Sequence, residues 1–545
     1  MNISKHTISY KVISILILLS IGFYSSVINA QSLAIDWQLC QGGSYDDWAM
    51  EIEPIDYGGF LTIGFSYSTD LDITFNNGLS DYWVTKIDSN GMREWERNYG
   101  GSSYEDYFTT QYNDILTLTA DGGFIFAGTS VSNDGDINNP KGGFDFWVVK
   151  CNMEGEIIWA KNFGGTKDEI ASKIENTEDG GYIVVGSTNS SDGDVINSTI
   201  DAINKNFWIV KLSEDGSIEW SKTYGGSNDD VPYSICESGD GSYIVTGYTF
   251  SNNGDISSNN GFSDWWLIKI DNIGNLIWEK TFGGSNGFVG YEEVARSIKK
   301  VNDGNFIVVG QIESNDYDVV GNHGSTDVLI LKMTPEGEII WSKCYGGSSK
   351  DIGYSVNLSF DNTMLIAAES SSNDGDININ SGSEYGSNYW LLNIDLDGEI
   401  IWEQCFGSTQ EPDRAMAIKS CLDSNYIAIG TSFMDGGDVS CHMNAGDYWI
   451  IKLNSGLTSI APNNIMTNQI HVFPNPASNY LIIKLPTVYS SKRDFTIFDL
   501  TGNTYAAGSL YPNISNYVNL QIPPGIYYII IDSDPKTITN FVVNK

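Results

Sequence analysis

The stretch that decides the fold runs from Trp159 to Leu212. It reads Trp159-Ala-Lys-Asn-Phe-Gly-Gly165, Asp168-Glu-Ile-Ala-Ser-Lys-Ile174, Asp179-Gly-Gly-Tyr-Ile-Val-Val-Gly186, Ser191-Asp-Gly-Asp194 and Asn206-Phe-Trp-Ile-Val-Lys-Leu212. Short β-branched and aromatic runs alternate with turn residues, which is typical of strands. Asp-Gly at 179–180 suits the positive φ of a tight hairpin turn. The stretch therefore predicts four short strands.

This unit recurs along the chain. A tryptophan that leads into a Gly-Gly or similar turn returns every 58 to 64 residues, at Trp37, Trp95, Trp159, Trp220, Trp278, Trp341 and Trp402. Four antiparallel strands per repeat, with no helical period, predict an all-β fold, and seven repeats predict a seven-bladed β-propeller. An open solenoid is the alternative.

A second series of strands is offset from the first. Its members start near Tyr82, Phe146, Phe207, Trp265, Val328, Tyr389 and Tyr448. The repeat region thus begins with a lone Trp37 strand and ends with a lone strand at 447–453. We expect residues 34–41 to pair with 447–453 and close one blade, which would remove an exposed sheet edge.

The repeated tryptophans are poor candidates for ligand contacts. Thirteen of the 15 fall at the two repeat positions, and Trp265 stands where the second series has Phe or Tyr, so only Trp48 lies outside the pattern. A residue that every repeat carries is one that every repeat needs for packing. We expect these side chains to form the core between blades.

The N-terminus has the layout of a secretory signal peptide. Lys5 and Lys11 precede an apolar run from Val12 to about Ile28, and Ala30 follows. We expect residues 1–30 to be removed and the mature chain to have no transmembrane segment. A membrane anchor is the alternative, although serines and a glycine interrupt the run.

The chain contains seven cysteines, so at least one thiol has no intramolecular partner. No Cys-x-x-Cys spacing occurs, which disfavours a zinc site. Disulfides are permitted in an exported protein, but their pairing stays open. Our expectation is that the cysteines act mainly as small buried hydrophobic residues.

The periodicity stops after Leu453. We expect a β-propeller over 31–456, a linker over 457–465 and a small Ig-like β-sandwich over 466–545. Within the last segment, three motifs occur in order before the terminal lysine: Pro474, Asn475 and Pro476; Asp499 and Gly502; Gly525, Tyr527 and Lys545. An incidental sandwich used for binding is the alternative.

These motifs resemble the type A C-terminal sorting domain of the type IX secretion system. The resemblance implies export across the inner membrane by the signal peptide and across the outer membrane by the type IX machinery, which would be a partner. The product would be secreted or held at the outer cell surface. The resemblance covers about 80 residues. The repeats themselves resemble those of large secreted bacterial proteins.

The chain is strongly acidic, with a formal net charge of −40. That charge repels phosphate backbones and disfavours nucleic-acid binding. Acids recur in pairs in the polar loop of the repeats, which could supply oxygen ligands to Ca²⁺. The candidate metal ligands are Asp134, Asp136, Asp192, Asp194, Asp374 and Asp376. Asp and Asn also form such turns without a metal, so structural turns are the alternative.

No catalytic residue can be named. The chain has four histidines and contains no phosphate-binding loop. The sequence favours a binding or scaffold module with an extracellular glycan or protein ligand. A carboxylate-dependent glycoside hydrolase or lyase acting on polysaccharides is the alternative, with Glu313, Glu369 and Glu411 as conceivable non-repeated acids.

Overall fold

The structure is a computed structural model. In the first part of the chain it describes residues 33–454, apart from 56–57, 107–113, 197–203, 286–292, 379, 381–385, 410–411 and 442–444. In the second part it describes 471–473, 480–484, 492–499, 504–510, 515–519, 523, 525–531 and 537–543. The predicted signal peptide and linker lie outside the described residues. The chain divides into two compact units, Met1–Gly456 and Leu457–Lys545.

The described part of residues 34–454 forms seven antiparallel sheets of four strands. Sheets 1 to 3 contain β2 (Asp47–Pro54), β3 (Phe60–Ser66), β4 (Asp81–Ile87) and β5 (Arg93–Tyr99); β6 (Leu116–Leu118), β7 (Phe124–Ser130), β8 (Asp145–Cys151) and β9 (Ile157–Phe163); β10 (Glu169–Asn176), β11 (Tyr182–Thr188), β12 (Asn206–Leu212) and β13 (Ile218–Tyr224). Sheets 4 and 5 contain β14 (Asp230–Glu237), β15 (Tyr243–Thr249), β16 (Asp264–Ile270) and β17 (Leu276–Phe282); β18 (Val294–Lys300), β19 (Phe306–Ile312), β20 (Asp327–Met333) and β21 (Ile339–Tyr345). Sheet 6 contains β22 (Asp351–Leu358), β23 (Met364–Ser370), β24 (Asn388–Ile394) and β25 (Ile400–Phe406), and sheet 7 contains β26 (Asp413–Ser420), β27 (Tyr426–Ser432), β28 (Asp447–Asn454) and β1 (Ala34–Gln41).

Sheet 7 joins the two ends of the repeat region. Strand β1 pairs antiparallel with β28, with Cys40 opposite Trp449 and Ala34 opposite Asn454. This is the pairing that the offset of the two strand series predicts. The prediction of four antiparallel strands per repeat is also confirmed.

The first strands of the sheets surround a common axis. Strands β2, β6, β10, β14, β18, β22 and β26 contact one another in succession, and β26 contacts β2. The tryptophan strand of each repeat is the fourth strand of its sheet, farthest from this axis. The first strand therefore carries the side chains that can meet across the axis.

The two tryptophan series pack differently. Those of the third strands are fully buried, at Trp83, Trp147, Trp208, Trp266, Trp390 and Trp449. Those of the fourth strands are mostly half-buried and lie on the glycine turn of the next sheet. Trp95 Nε1, for example, donates to Met153 O over 3.2 Å, and a Cβ on Gly155 would approach the Trp95 ring. Both series pack in or between sheets, as predicted.

A disulfide joins Cys40 of β1 to Cys441, 401 residues away in the loop before β28. The expectation that the cysteines act as small buried hydrophobic residues is wrong for this pair. The described thiols outside it, Cys151, Cys236, Cys344, Cys405 and Cys421, form no disulfide. Burial raises the pKa of Cys236 to about 11 and that of Cys151 to about 12, so both stay protonated at neutral pH.

The disulfide should stabilise the pairing of β1 with β28. We expect the double variant Cys40→Ser, Cys441→Ser to lose about 2–4 kcal/mol of unfolding free energy, because the cross-link restricts the unfolded chain. Denaturant titration with and without a thiol reductant checks this. Reductant should destabilise the wild type and leave the double variant unchanged. Equal stability of the two proteins under oxidising conditions would contradict the prediction.

The second unit contains two sheets. One has the order β29 (His471–Phe473), β30 (Tyr480–Lys484), β33 (Ser515–Asn519), and the other the order β32 (Thr504–Leu510), β31 (Arg493–Asp499), β34 (Gly525–Ile531), β35 (Thr537–Val543). Strand β32 is an edge strand with mostly exposed side chains, so it lacks the apolar run that marks a buried strand. In the described residues of the whole chain, no helix is long and apolar enough to cross a membrane.

Candidate functional site

A β-bulge recurs at the same place in the first strands. The register shifts by one residue between Ala49 and Glu51, and equivalent shifts occur in β10, β14, β18, β22 and β26. A bulge re-aims the extra side chain. The extra residues are of four types, whereas most positions of the repeat vary less. They are Met50, Ser172, Tyr233, Arg296, Tyr354 and Met416.

Arg296 lies between two of these bulge residues. Its guanidinium is 5.2 Å from the ring centroid of Tyr233 and 5.2 Å from that of Tyr354. Its Nε and Nη2 donate to Gln311 Oε1 over 3.1 and 2.8 Å. The arginine is only 2% exposed. Two cation–π contacts and a hydrogen-bonded fork therefore hold it rigidly at the axis.

Glu369, one of the non-repeated acids, lies beside this group. Its Oε1 is 3.0 Å from Lys350 Nζ and its Oε2 is 3.1 Å from Arg414 Nε. Burial alone would raise the pKa of Glu369, but the charges of Lys350 and Arg414 and a hydrogen bond from Tyr354 lower it below its ordinary value. Glu369 is therefore an ionised anchor for two cations.

Trp48, the tryptophan outside the repeat pattern, extends the group. Arg414 lies 5.8 Å from its ring centroid, and the Phe433 ring packs edge-on at 5.1 Å. Trp48 and Phe433 are half-buried. We name Trp48, Tyr233, Arg296, Tyr354, Glu369 and Arg414 the axial cluster.

Half-buried aromatic rings continue outward from Tyr233. Tyr248 lies 6.2 Å from it, Phe250 lies 5.1 Å from Tyr248, and Phe262 lies 4.7 Å from Phe250. These side chains come from β14, β15 and the loop before β16. Counting tryptophans alone hides this set, because its members are tyrosines and phenylalanines of one repeat.

A second group farther along the first strands is ionic and buried. Lys173 Nζ lies 3.1 Å from Asp114 Oδ2, and Lys419 Nζ lies 3.1 Å from Glu51 Oε1 and 2.8 Å from Glu53 Oε1. Burial disfavours the charged form of Asp114, but Lys173, Lys299 and Lys419 hold its pKa well below the usual range. We name Glu51, Asp114, Lys173 and Lys419 the buried ionic cluster. Its burial indicates a structural role.

The predicted calcium ligands accept hydrogen bonds from backbone N–H groups of the glycine turn that leads into their own sheet. Asp134 Oδ1 accepts the Ser102 N–H over 2.7 Å, and Asp136 Oδ2 accepts the Gly100 N–H over 3.2 Å. The loops of Asp192 and Asp194, and of Asp374 and Asp376, repeat this arrangement. The three loops belong to three different sheets. Within the described residues, no group of three or more His, Cys, Asp or Glu side chains is placed to hold a metal. Calcium binding stays a prediction.

The other sequence candidates are dispersed. Glu313 Oε1 accepts a hydrogen bond from Thr326 Oγ1 over 3.1 Å, and His323 Nδ1 lies 2.7 Å from Asp327 Oδ2. Glu411 and His442 lie outside the described residues. Of the named acids, the structure brings only Glu369 into the axial cluster. A comparison of equivalent bulge positions across the repeats would have found Tyr233, Arg296 and Tyr354.

In the second unit, Gly525 begins β34, Asp499 ends β31, and Tyr527 is buried with its hydroxyl donating to Pro523 O over 2.8 Å. The remaining motif residues lie outside the described part of the chain: Pro474, Asn475, Pro476, Gly502 and Lys545.

Solved structures with some similarity to this chain include a β-propeller domain and several enzymes. The β-propeller domain of the Trilobed protease from Pyrococcus furiosus is 10% identical, with 77% of this chain and 99% of that chain covered, at a TM-score of 0.39. An α-L-arabinofuranosidase from Fusarium graminearum is 9% identical, with 77% and 98% covered, at 0.36. A gluconolactonase from Xanthomonas campestris is 8% identical, with 57% and 82% covered, at 0.30. Such values carry no inference about activity.

The comparison with curated proteins finds no significant match. A family model does match the end of the chain: residues 471–545 fit the secretion system C-terminal sorting domain. This segment includes the three motifs and the terminal lysine identified from the sequence. Residues 471–545 are therefore a type IX secretion C-terminal sorting domain, and the chain is exported to the extracellular space or the outer cell surface.

Proposed function

We propose that residues 31–456 form a closed seven-bladed β-propeller that acts as an extracellular binding module, and that residues 466–545 form a small Ig-like sandwich that directs export. The propeller is supported by seven four-stranded sheets whose first strands contact one another in a ring. The expected signal peptide at 1–30 and the linker at 457–465 complete this organisation. The type IX machinery is the partner during export.

The axial cluster carries the binding proposal. It combines a half-buried tryptophan ring and a partly exposed guanidinium with two buried tyrosine rings, a composition that occurs in ligand sites. Arg414 is held by Glu369 and Trp48. Lys350, beside it, is about half exposed at 51% of its side-chain area. Donors that are already positioned need little reorganisation when a ligand arrives.

We propose an extracellular glycan as the ligand. The C–H faces of sugar rings stack on aromatic side chains, and their hydroxyls accept hydrogen bonds from arginine and lysine. Trp48 and Phe433 supply half-buried rings beside Arg414, and Glu369 links Arg414 to Lys350. A protein ligand is the other outcome of the binding experiment.

The geometry favours binding over a carboxylate-dependent hydrolase or lyase. A general acid needs a raised pKa and contact with substrate. Glu369 is at the axis, but its pKa is lowered by its two cations. Carboxyls with raised pKa values do occur, such as Asp264 at about 6 and Glu293 at about 7. Both are 0% exposed, at a junction between sheets.

Glycan-array screening of the full-length exported protein, followed by calorimetry on a binding glycan, tests this proposal. We expect Trp48→Ala to weaken binding at least tenfold, about 1.4 kcal/mol or more, because a central aromatic anchor is lost. The matched control is Phe360→Ala. Phe360 is 45% exposed and stacks on Tyr426 at the turn between β22 and β23, so its loss should leave binding unchanged. Equal binding by wild type and Trp48→Ala would contradict the proposed site, and turnover of the glycan would favour the enzyme instead.

A further inference from the structure

Two buried side chains meet at every junction between consecutive sheets. One is the first residue of a third strand, and the other is an acid between the glycine turn and the second residue of the first strand of the next sheet. The pairs are Asp81 with Glu105, Asp145 with Glu169, Asn206 with Asp230, Asp264 with Glu293, Asp327 with Asp351, Asn388 with Asp413, and Asp447 with Asp47. Both members of each pair are buried. The last pair joins sheet 7 to sheet 1.

The first glycine of the intervening turn brings the pair together. At the junction of sheets 4 and 5, Asp264 Oδ1 and Glu293 Oε2 both lie 2.6 Å from the point where a Cβ on Gly283 would stand. A side chain at this position would separate the two acids. The first glycine of the turn therefore permits the close approach of two carboxyls.

The two acids differ in their hydrogen bonds. Glu293 accepts from the Gly284 N–H over 3.1 Å, from the Ser314 N–H over 3.0 Å and from the Ser314 hydroxyl. Asp264 accepts the Asn260 N–H at Oδ2 over 2.8 Å, while its buried Oδ1 has no donor. Glu293 thus has the partners of an ionised carboxylate. Asp264 Oδ1 lies where a protonated carboxyl oxygen could donate its O–H to Glu293.

The repeats themselves contain the neutral form of this arrangement. At two junctions asparagine replaces aspartate, at Asn206 and Asn388. Both replacements fall on the third-strand residue, while the facing acid is kept as Asp230 and Asp413. Asparagine is the uncharged isostere of a protonated aspartate, and its Oδ1 faces the junction at both sites. The third-strand position therefore accepts a neutral side chain, whereas the facing position keeps an acid.

We propose that the two facing carboxyls at these junctions share one proton, so that contact between consecutive sheets depends on pH. In the Asp264–Glu293 pair, this proton lies between Asp264 Oδ1 and Glu293 Oε2. Loss of this proton places two negative charges side by side in a buried site, which repels the two sheets.

The electrostatic surroundings support a shared proton at this junction. Burial raises the pKa of Asp264 to about 6 and that of Glu293 to about 7. The negative charge of Asp318 also raises the pKa of Asp264, and that of Asp264 also raises the pKa of Glu293. Among the described residues, no cation forms an ion pair with Asp264 or Glu293. The calcium candidates Asp134, Asp136, Asp192, Asp194, Asp374 and Asp376 lie at other junctions.

The sign of the pH effect follows from these shifts. The ordinary pKa of an unfolded Asp or Glu is about 4, so the folded protein holds the shared proton more tightly than the unfolded chain does. Folding then takes up a proton between about pH 4 and 7. The contribution of this pair to stability should be greatest below this window and should fall as the pH rises through it.

Two reciprocal variants test the proposal in the full-length exported protein, by melting temperature between about pH 5 and pH 8. Asp264→Asn copies the native Asn206 junction, and we expect it to melt at or above the wild-type temperature at pH 8 and to depend less on pH. Asn206→Asp places a second carboxyl opposite Asp230, and we expect it to match the wild type at pH 5 and to melt at a lower temperature at pH 8.

Three results would overturn the proposal. The first is an equal loss of stability by Asp264→Asn at both pH values, which would indicate that the negative charge itself is needed. The second is an unchanged pH profile of Asn206→Asp. The third is a rise in the wild-type melting temperature with added CaCl₂ that Asp264→Asn abolishes, because the pair would then hold a cation rather than a proton.

Discussion

Deletion of residues 34–41 is expected to abolish the single cooperative melt of the repeat region. The deletion removes the fourth strand of sheet 7, exposes the edge of β28 and removes the buried Cys40 side chain. Each fully buried apolar side chain contributes about 1.5–3 kcal/mol, and a whole domain is stable by only about 5–15 kcal/mol. The exposed edge should also promote aggregation.

Calorimetry and light scattering on the deletion variant measure both effects. The double variant Cys40→Ser, Cys441→Ser is the matched control, because it loses the same disulfide and keeps the strand. A cooperative melt in the control and a broad or absent melt in the deletion variant would assign the effect to the strand. A sharp, reversible melt of the deletion variant would mean that sheet 7 does not need β1, in agreement with an open array.

Lys173→Met is expected to destabilise the protein by about 3–5 kcal/mol, because it leaves Asp114 as a buried charge without its nearest cation. Lys173 Nζ is 3.1 Å from Asp114 Oδ2, and the lysine is 1% exposed. Methionine keeps most of the side-chain volume, so the effect reports the lost charge rather than a cavity. Denaturant unfolding near neutral pH gives the free-energy difference.

Two controls separate the buried charge from general effects. In Lys173→Met, Asp114→Asn the unpaired carboxylate is removed as well, and much of the lost stability should return. Asn is tolerated at position 114, where φ is 62°. Lys280→Met removes the exposed partner of Glu338, 2.7 Å away, and should cost no more than about 1 kcal/mol. Equal losses in Lys173→Met and Lys280→Met would contradict the role of burial.

The repeat region shows which structural features can be predicted from local sequence patterns. Asp179-Gly180 predicts a hairpin, and Gly180 has a φ of +86° at the turn between β10 and β11. The pairing of β1 with β28 also follows from sequence, because the offset of two periodic series leaves one strand over at each end. Such features depend on spacing alone.

The candidate site could be predicted only in part. Trp48 stands out as the tryptophan that breaks the pattern, and Glu369 as a non-repeated acid. Their proximity to Arg414 does not follow from spacing, because the three residues lie on strands of three different sheets. The acidic loops can be recognised in the sequence. Their hydrogen bonds to the Gly-Gly turns form only when the sheets pack against one another.

By itself, the sequence determined that the protein is a repeated, all-β, acidic and exported chain, because strand propensity, turn residues and the sorting motifs are local properties. Only the tertiary structure decided which side chains meet at the axis, that Cys40 bonds to Cys441, and that two buried carboxyls face each other between sheets. The physical reason is distance along the chain. A bulge re-aims one side chain, and the pairing of β1 with β28 places residues up to 401 positions apart in bonding contact, so these contacts depend on the packing of the sheets together.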